Sequence, residues 1–150
     1  MRSLVNQKLY FARLMLDQAE QTADRAVCVA LLQAAVFHLA MAYRCYLREI
    51  GDERLSADIA DARAALRQLG DRAGPELAEL ALLEQGSAWP ASLLAAFREA
   101  CTPHPAVAPA RSSGIPVADI TAALTPGLGR EWLRDFQLLL DEQRERAQEW

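Results

Sequence analysis

The stretch 26–43 reads AVCVALLQAAVFHLAMAY, and only Gln33 and His38 interrupt its apolar run. Its length corresponds to about five helical turns. The pattern predicts one helix that is apolar on nearly all sides. Such a helix must be enclosed by other helices or by lipid, so it decides the architecture of the chain and indicates no reaction.

The same run is almost long enough to cross a membrane. Gln33 and His38 lie near its middle, where polar side chains raise the cost of insertion, and its alanines contribute little apolar transfer energy. The flanking segments carry one apolar stripe each, as the outer helices of a soluble bundle do. We therefore expect a soluble bundle and no membrane contact.

Composition points to a single all-α domain. The chain has 150 residues, of which 52 % are hydrophobic, and such a chain buries about two thirds of the surface of its unfolded form. Leu and Ala dominate, and no window alternates with the period of two that a half-buried strand requires. We expect one domain over residues 1–150.

Helical spacing and end signals predict an irregular bundle of five or six helices around the long apolar helix. Thr22 is the expected N-cap of that helix, and Ser56 is the expected N-cap of the next one. The segment 102–116 is rich in proline and predicts a loop. The expected helices cover residues 4–21, 22–50, 56–69, 75–85, 89–101 and 130–148.

Charge and cysteine content narrow the function classes. The formal net charge is -4, which disfavours a domain that neutralises phosphates, so nucleic acid is not the expected partner. Cys28, Cys45 and Cys101 form an odd set without a CxxC motif, as in a reducing compartment. The N-terminal residues lack the pattern of a signal peptide, which indicates a cytoplasmic protein.

Catalytic and metal-binding motifs are missing from the sequence. It has two histidines without a Glu-x-x-His pair, and it contains neither a GxSxG turn nor a phosphate-binding glycine loop. We therefore expect no metal, no cofactor and no catalytic residue; these absences favour a non-catalytic protein and leave open whether it is an enzyme.

The sequence around His38 is compatible with two roles for this residue. A histidine among apolar residues usually satisfies its nitrogens inside the core. It could instead belong to a polar site within the bundle together with Gln33, Tyr10 and Tyr43. A small apolar ligand held near His38 is one function that such a site would support.

Several segments together resemble a family of small bacterial proteins of unknown function. They are NQKLYFA at 6–12, AVFHL at 35–39, the segment 87–97 with its proline-rich successor, and the segment from Trp132 to the closing Glu149-Trp150 pair. The resemblance implies a compact helical protein and transfers no activity. It also implies that the two ends of the chain belong to one pattern.

A groove between the chain termini follows as a hypothesis. If Trp132 and Trp150 flank the core, then Asn6, Gln7 and Tyr10 line a groove beside them. The N-terminal and C-terminal helices would then lie side by side and share one surface.

Arg98 and His104 provide a second, shorter resemblance. Five residues separate them, as in the Arg-x4-6-His motif of HEPN-class helical domains. The resemblance implies an RNA- or nucleotide-binding domain, or a nuclease. In that function we expect Arg44 and Arg48 to act together with this pair.

The expected function is a non-catalytic, cytoplasmic protein-interaction or regulatory domain. A homodimer is one form of it, because the apolar helix has more surface than short neighbours can cover. Trp89, Trp132 and Trp150 are the expected interface anchors, since large aromatic side chains dominate interface energetics.

Overall fold

The computed structural model describes residues 2–52, 54–102 and 124–148. In these ranges the chain forms six α-helices, one 3₁₀ turn at Gly70–Arg72 and no strand. The prediction of an all-α bundle with one long apolar helix is confirmed. The predicted proline-rich loop lies, apart from Thr102, outside the described residues. The helices are α1 Arg2–Gln21, α2 Arg25–Ile50, α3 Ala62–Leu69, α4 Pro75–Gln85, α5 Trp89–Cys101 and α6 Pro126–Arg146.

The long helix α2 begins after Asp24. The Asp24 carboxylate accepts hydrogen bonds from the backbone N–H groups of Ala26 at 2.9 Å and Val27 at 3.2 Å. Thr22, the predicted cap, accepts a bond from the Asp24 amide instead. The carboxylate thus satisfies the free amides of the first turn, and α2 begins three residues later than predicted.

The first two helices form an antiparallel pair, because only residues 22–24 connect them. Buried residues of all six helices join their inner sides in one apolar cluster. The largest fully buried side chains of this cluster include Tyr43, Tyr46 and Phe136.

The third helix is shorter than predicted. It starts at Ala62 because the Asp61 carboxylate accepts a hydrogen bond from the Ala64 amide at 2.7 Å. Ser56, the predicted cap, does not begin the helix. A turn follows it, and Ile59 is buried there without belonging to a helix. The apolar spacing from Ile59 onward therefore reflected core contacts of a turn as well as a helix.

Helices α4 and α5 have the predicted bounds. Each carries a proline in its first turn, Pro75 or Pro90, where the missing N–H costs no hydrogen bond. Gly86 ends α4.

The last helix closes the core against α1. Its start at Pro126 is earlier than predicted, because the Thr125 hydroxyl accepts a hydrogen bond from the Leu128 amide at 3.2 Å. A Cβ atom added at Gly129 would lie 2.5 Å from Cδ2 of Leu16. The glycine therefore lets α6 approach α1 closely, which places the two ends of the described chain side by side.

Candidate functional site

One side of α2 lies at the surface and forms the first candidate site. Val27 is 45 % exposed and Phe37 is 47 % exposed, although both belong to the apolar run. Neighbouring helices thus enclose α2 on its inner side only, which corrects the expectation of a helix enclosed all round. We call the outer side the α2 face; it comprises Ala26, Val27, Ala30, Gln33, Ala34, Phe37, His38, Met41, Arg44 and Arg48.

By length and composition, α2 is the one helix in the described ranges that could cross a membrane. The core helix of a soluble protein passes the same test. In its most apolar window of 18 residues, 39 % of the residues are buried within the fold.

Aromatic rings from α1 and α5 extend the α2 face on both sides. The ring of His38 lies 5.4 Å from the ring of Phe11 and 5.7 Å from that of Phe37, measured between centroids. The Phe37 ring lies 6.3 Å from that of Phe97. Three helices therefore contribute to one surface patch with Phe37 near its centre.

A basic rim borders this patch. The guanidinium carbon of Arg44 lies 5.0 Å from the centre of the Phe97 ring, and Nζ of Lys8 lies 6.0 Å from that of Phe11. The Nε atoms of Arg44 and Arg48 are buried and have no hydrogen-bond partner. The rim therefore brings positive charge to the edge of the patch.

The four residues of the hypothetical polar core site do not come together. Gln33 is exposed on the α2 face, and Tyr10 is 55 % exposed on α1. His38 is half-buried between two phenylalanine rings, whereas Tyr43 is fully buried on the inner side. His38 and Tyr43 point in different directions because they are five residues apart, a spacing that rotates a side chain by about 140° around a helix.

His38 has an unusual environment. Its Nδ1 atom is buried and has no hydrogen-bond partner. Burial, and to a smaller extent the charge of Lys8, lowers the pKa of the His38 imidazole below its ordinary value. The ring is therefore neutral at pH 7.

Tyr43 has a structural partner that the sequence pattern did not indicate. Its hydroxyl donates a hydrogen bond of 2.7 Å to the Glu84 carboxylate, which also accepts from the amides of Ala62 at 2.8 Å and Arg63 at 3.4 Å. Burial and the Glu84 charge raise the pKa of Tyr43. This cluster joins α2, α3 and α4 and has the features of a structural contact.

The tryptophans are not exposed anchors in the described ranges. Trp132 is 2 % exposed, which corrects its assignment to an interface, because it faces the core of the bundle. Trp89 is partly buried, and its ring stacks on that of Phe136 at 4.9 Å. Trp150 lies outside the described residues. Phe37 on α2 and Tyr10 on α1 are the exposed aromatic residues of the described ranges instead.

A second candidate site lies between α1 and α6, and we call it the α1–α6 cleft. Its volume is about 320 Å³. Asn6 and Tyr10, two residues of the predicted groove between the chain ends, line this cleft. Gln7 and Trp132 are not among its lining residues, and Trp150 lies outside the described residues. The lining comprises Asn6, Leu9, Tyr10, Arg13, Gln137, Leu140, Asp141 and Arg144.

Arg144 is fixed at one end of this cleft. Its guanidinium donates to both carboxylate oxygens of Glu49, at 3.1 and 3.0 Å, and to the Asn6 side-chain oxygen at 3.2 Å. The Arg144 and Glu49 side chains are only 17 % and 12 % exposed. This bidentate pair thus holds α2, α1 and α6 in fixed positions at the cleft.

A buried polar network lies beside that pair. The Tyr46 hydroxyl donates to the side-chain oxygen of Gln143, whose amide nitrogen donates to Glu79 at 2.9 Å. Arg146 also donates to Glu79, at 3.0 Å. Burial and the charge of Glu49 raise the pKa of Tyr46, so that it remains a hydrogen-bond donor.

The Arg98–His104 pair cannot be assembled from the described residues. Arg98 is exposed on α5, where it helps to line a small cleft with Asp61 and Glu84. His104 lies outside the described residues.

Metal-ligating side chains do not cluster in the described ranges. No group of three or more His, Cys, Asp or Glu residues comes together there. Cys28 and Cys45 are partly buried free thiols, and Cys101 is an exposed one.

Comparison with known sequences gives the family of the chain. A family of unknown function (DUF6586) matches residues 1–150. The chain belongs to this family. The predicted membership of a family of unknown function is thus confirmed. No curated protein and no solved structure matches the chain, and the HEPN resemblance finds no support among these comparisons.

Proposed function

We propose that this protein is a non-catalytic helical interaction domain of the bacterial cytoplasm that pairs with a second copy of itself through the α2 face. The exposure of Phe37, in the middle of the most apolar helix, carries this proposal. Single exposed apolar residues are ordinary, whereas a contiguous apolar patch indicates an interaction site. The three free cysteines agree with a reducing compartment.

The sequence of the α2 face is complementary to itself in an antiparallel arrangement. If two copies cross at Phe37, Arg48 of each copy lies opposite Ala26 of the other, and Arg44 lies opposite Ala30. The aliphatic stems of the arginines would then cover small apolar side chains, and the two sets of positive charges would stay apart. An isologous dimer with Phe37 at its symmetry axis follows.

The available area predicts a weak dimer. A helix of 26 residues is about 39 Å long and about 10 Å wide, so its face offers about 400 Å² per copy. A stable interface buries about 800 Å² per partner. Phe11 and Phe97 at the flanks must therefore take part, and the dimer should dissociate on dilution.

Light scattering coupled to size-exclusion chromatography tests the proposal over a range from low micromolar to millimolar protein. We expect a monomer–dimer equilibrium that changes little with salt, because apolar contacts dominate it. Phe37→Ser should abolish the dimer. The matched control is Leu138→Ser, since Leu138 is 61 % exposed on α6, which packs against the inner side of α2.

Three results would overturn the proposal. The first is a monomer at every concentration, and the second is a dimer that Phe37→Ser leaves intact. The third is a monomer that retains nucleic acid at low salt and releases it at high salt. That result would assign the basic rim of Arg44 and Arg48 to phosphate binding.

A further inference from the structure

The α1–α6 cleft has two charged walls and an apolar floor. Leu9 is 5 % exposed and Leu140 is 2 % exposed, so their side chains close the base of the cleft. Arg13 stands on the α1 wall and Asp141 on the α6 wall. The volume of about 320 Å³ lies at the small end of the range for small-molecule sites, about 300–1,000 Å³.

The charges of this cleft differ in how they are satisfied. Arg144 is neutralised by its bidentate pair with Glu49. Arg13 and Asp141 form no ion pair or hydrogen bond with each other or with any other side chain in the described part of the molecule. The cleft therefore presents one unpaired cation and one unpaired anion on opposite walls.

From this arrangement we infer that the α1–α6 cleft binds a small zwitterion of the amino-acid or dipeptide type. The ligand carboxylate pairs with the Arg13 guanidinium, and the ligand ammonium pairs with the Asp141 carboxylate. A ligand with one charge would leave the other wall unpaired.

Further polar groups of the cleft can orient the ligand. The side-chain oxygen of Asn6 is engaged by Arg144, so its amide hydrogens remain to donate. The Gln137 amide and the Tyr10 hydroxyl lie on the same walls, and neither forms a side-chain hydrogen bond within the described ranges. These groups match the peptide unit of a dipeptide.

The walls are held at a fixed separation, which reduces the entropy lost on binding. At one end, Arg144 ties α6 to Asn6 on α1. Towards the opposite end of the helix pair, Arg130 of α6 forms ion pairs with Asp17 and Glu20 of α1. The site goes beyond the proposed self-association, because none of its lining residues belongs to the α2 face.

Isothermal titration of the whole protein tests the inference. The probes are the twenty free L-amino acids and the dipeptide Gly-Leu, each compared with its N-acetylated and its C-amidated form. We expect at least one probe to bind, and both modified forms to bind about tenfold more weakly or worse, because each modification removes one charge-assisted hydrogen bond.

Two variants and one control connect the heat of binding to the cleft. Arg13→Gln and Asp141→Asn should each weaken binding by about tenfold or more. Arg134→Gln serves as the control, since Arg134 is exposed on α6 and pairs with its neighbour Asp135. Circular dichroism verifies that each variant is folded.

The inference fails if no probe binds at millimolar concentration, or if both cleft variants bind as the unmodified protein does. It also fails if the acetylated and amidated forms bind equally well. Phe37→Ser distinguishes this failure from that of the proposed dimer, because it alters the α2 face and leaves the cleft intact.

Discussion

The inner and outer sides of α2 are both largely apolar, but they differ in whether their buried polar atoms have hydrogen-bond partners. On the inner side, the Tyr43 hydroxyl donates to Glu84 and the Tyr46 hydroxyl donates to Gln143. Both tyrosines are fully buried. The inner side thus meets the usual requirement that a buried polar group has a partner.

On the outer side, that requirement is not met. The buried side-chain atoms without a hydrogen-bond partner in the described ranges are Nδ1 of His38, Nε of Arg44 and Nε of Arg48. All three belong to the α2 face, beside the exposed ring of Phe37. Apolar composition alone therefore does not define a core: the inner side pairs its buried polar groups, and the outer side of the same helix leaves three such atoms unpaired.

The largest expected change in stability comes from comparing Phe136, which packs against the inner side of α2, with Phe37 on its outer side. Phe136 is fully buried, with its ring centroid 6.0 Å from those of Tyr43 and Tyr46. Phe136→Ala should lower the free energy of unfolding by about 3–5 kcal/mol, because it leaves a cavity. Phe37→Ala, the same change on the outer side, should cost the monomer less than about 1 kcal/mol. Urea unfolding of dilute protein measures both, and equal losses would contradict the contrast.

An intermediate effect is expected in the buried network of the inner side. Gln143→Leu leaves the Tyr46 hydroxyl without its acceptor and should cost about 1–3 kcal/mol of unfolding free energy. Tyr46→Phe in addition removes the orphaned hydroxyl, so the double variant should lose less than the sum of the single losses. A double-mutant cycle by urea unfolding tests this coupling. Strict additivity would show that the two side chains act independently.

The smallest expected effect concerns pH and the outer side. Because burial lowers the pKa of folded His38, the unfolded chain binds more protons than the folded one at mildly acid pH. This contribution to stability is present above the unfolded pKa of about 6.5 and is lost as the pH falls below it. His38→Phe should flatten this part of the profile of melting temperature against pH. An unchanged profile would show that His38 is protonated without cost in the folded state.

The sequence predicted those helices that local signals define. Pro75 and Gly86 enclose α4, and Pro90 stands in the first turn of α5, so both helices have the predicted bounds. The start of α3 was predicted wrongly, because two side chains with capping ability, Ser56 and Asp61, precede the same apolar series. Which of them caps the helix depends on tertiary contacts of the turn, which a local pattern does not contain.

The candidate sites were less predictable than the fold. The apolar character of residues 26–43 indicated burial on all sides, whereas the number of neighbouring helices decides how much of α2 is covered. The exposure of Phe37 therefore depends on where α5 packs. The cleft lining includes Asn6 and Tyr10 of the NQKLYFA start, whereas Gln7 and Trp132, which were expected beside them, do not line it. Asp141, on the opposite wall, belongs to a helix end of mixed charge whose pattern does not single it out.

Glu84 has a consequence for the order in which the chain folds. The eight-residue α3 is too short to be stable alone, and its first amides, those of Ala62 and Arg63, are bonded to a carboxylate that belongs to α4. Helix α3 therefore forms only once α4 is in place, and the two open as one cooperative unit. Hydrogen exchange at these two amides reports on the docking of α4, whose Glu84 follows them by 22 and 21 residues, rather than on the helix that contains them.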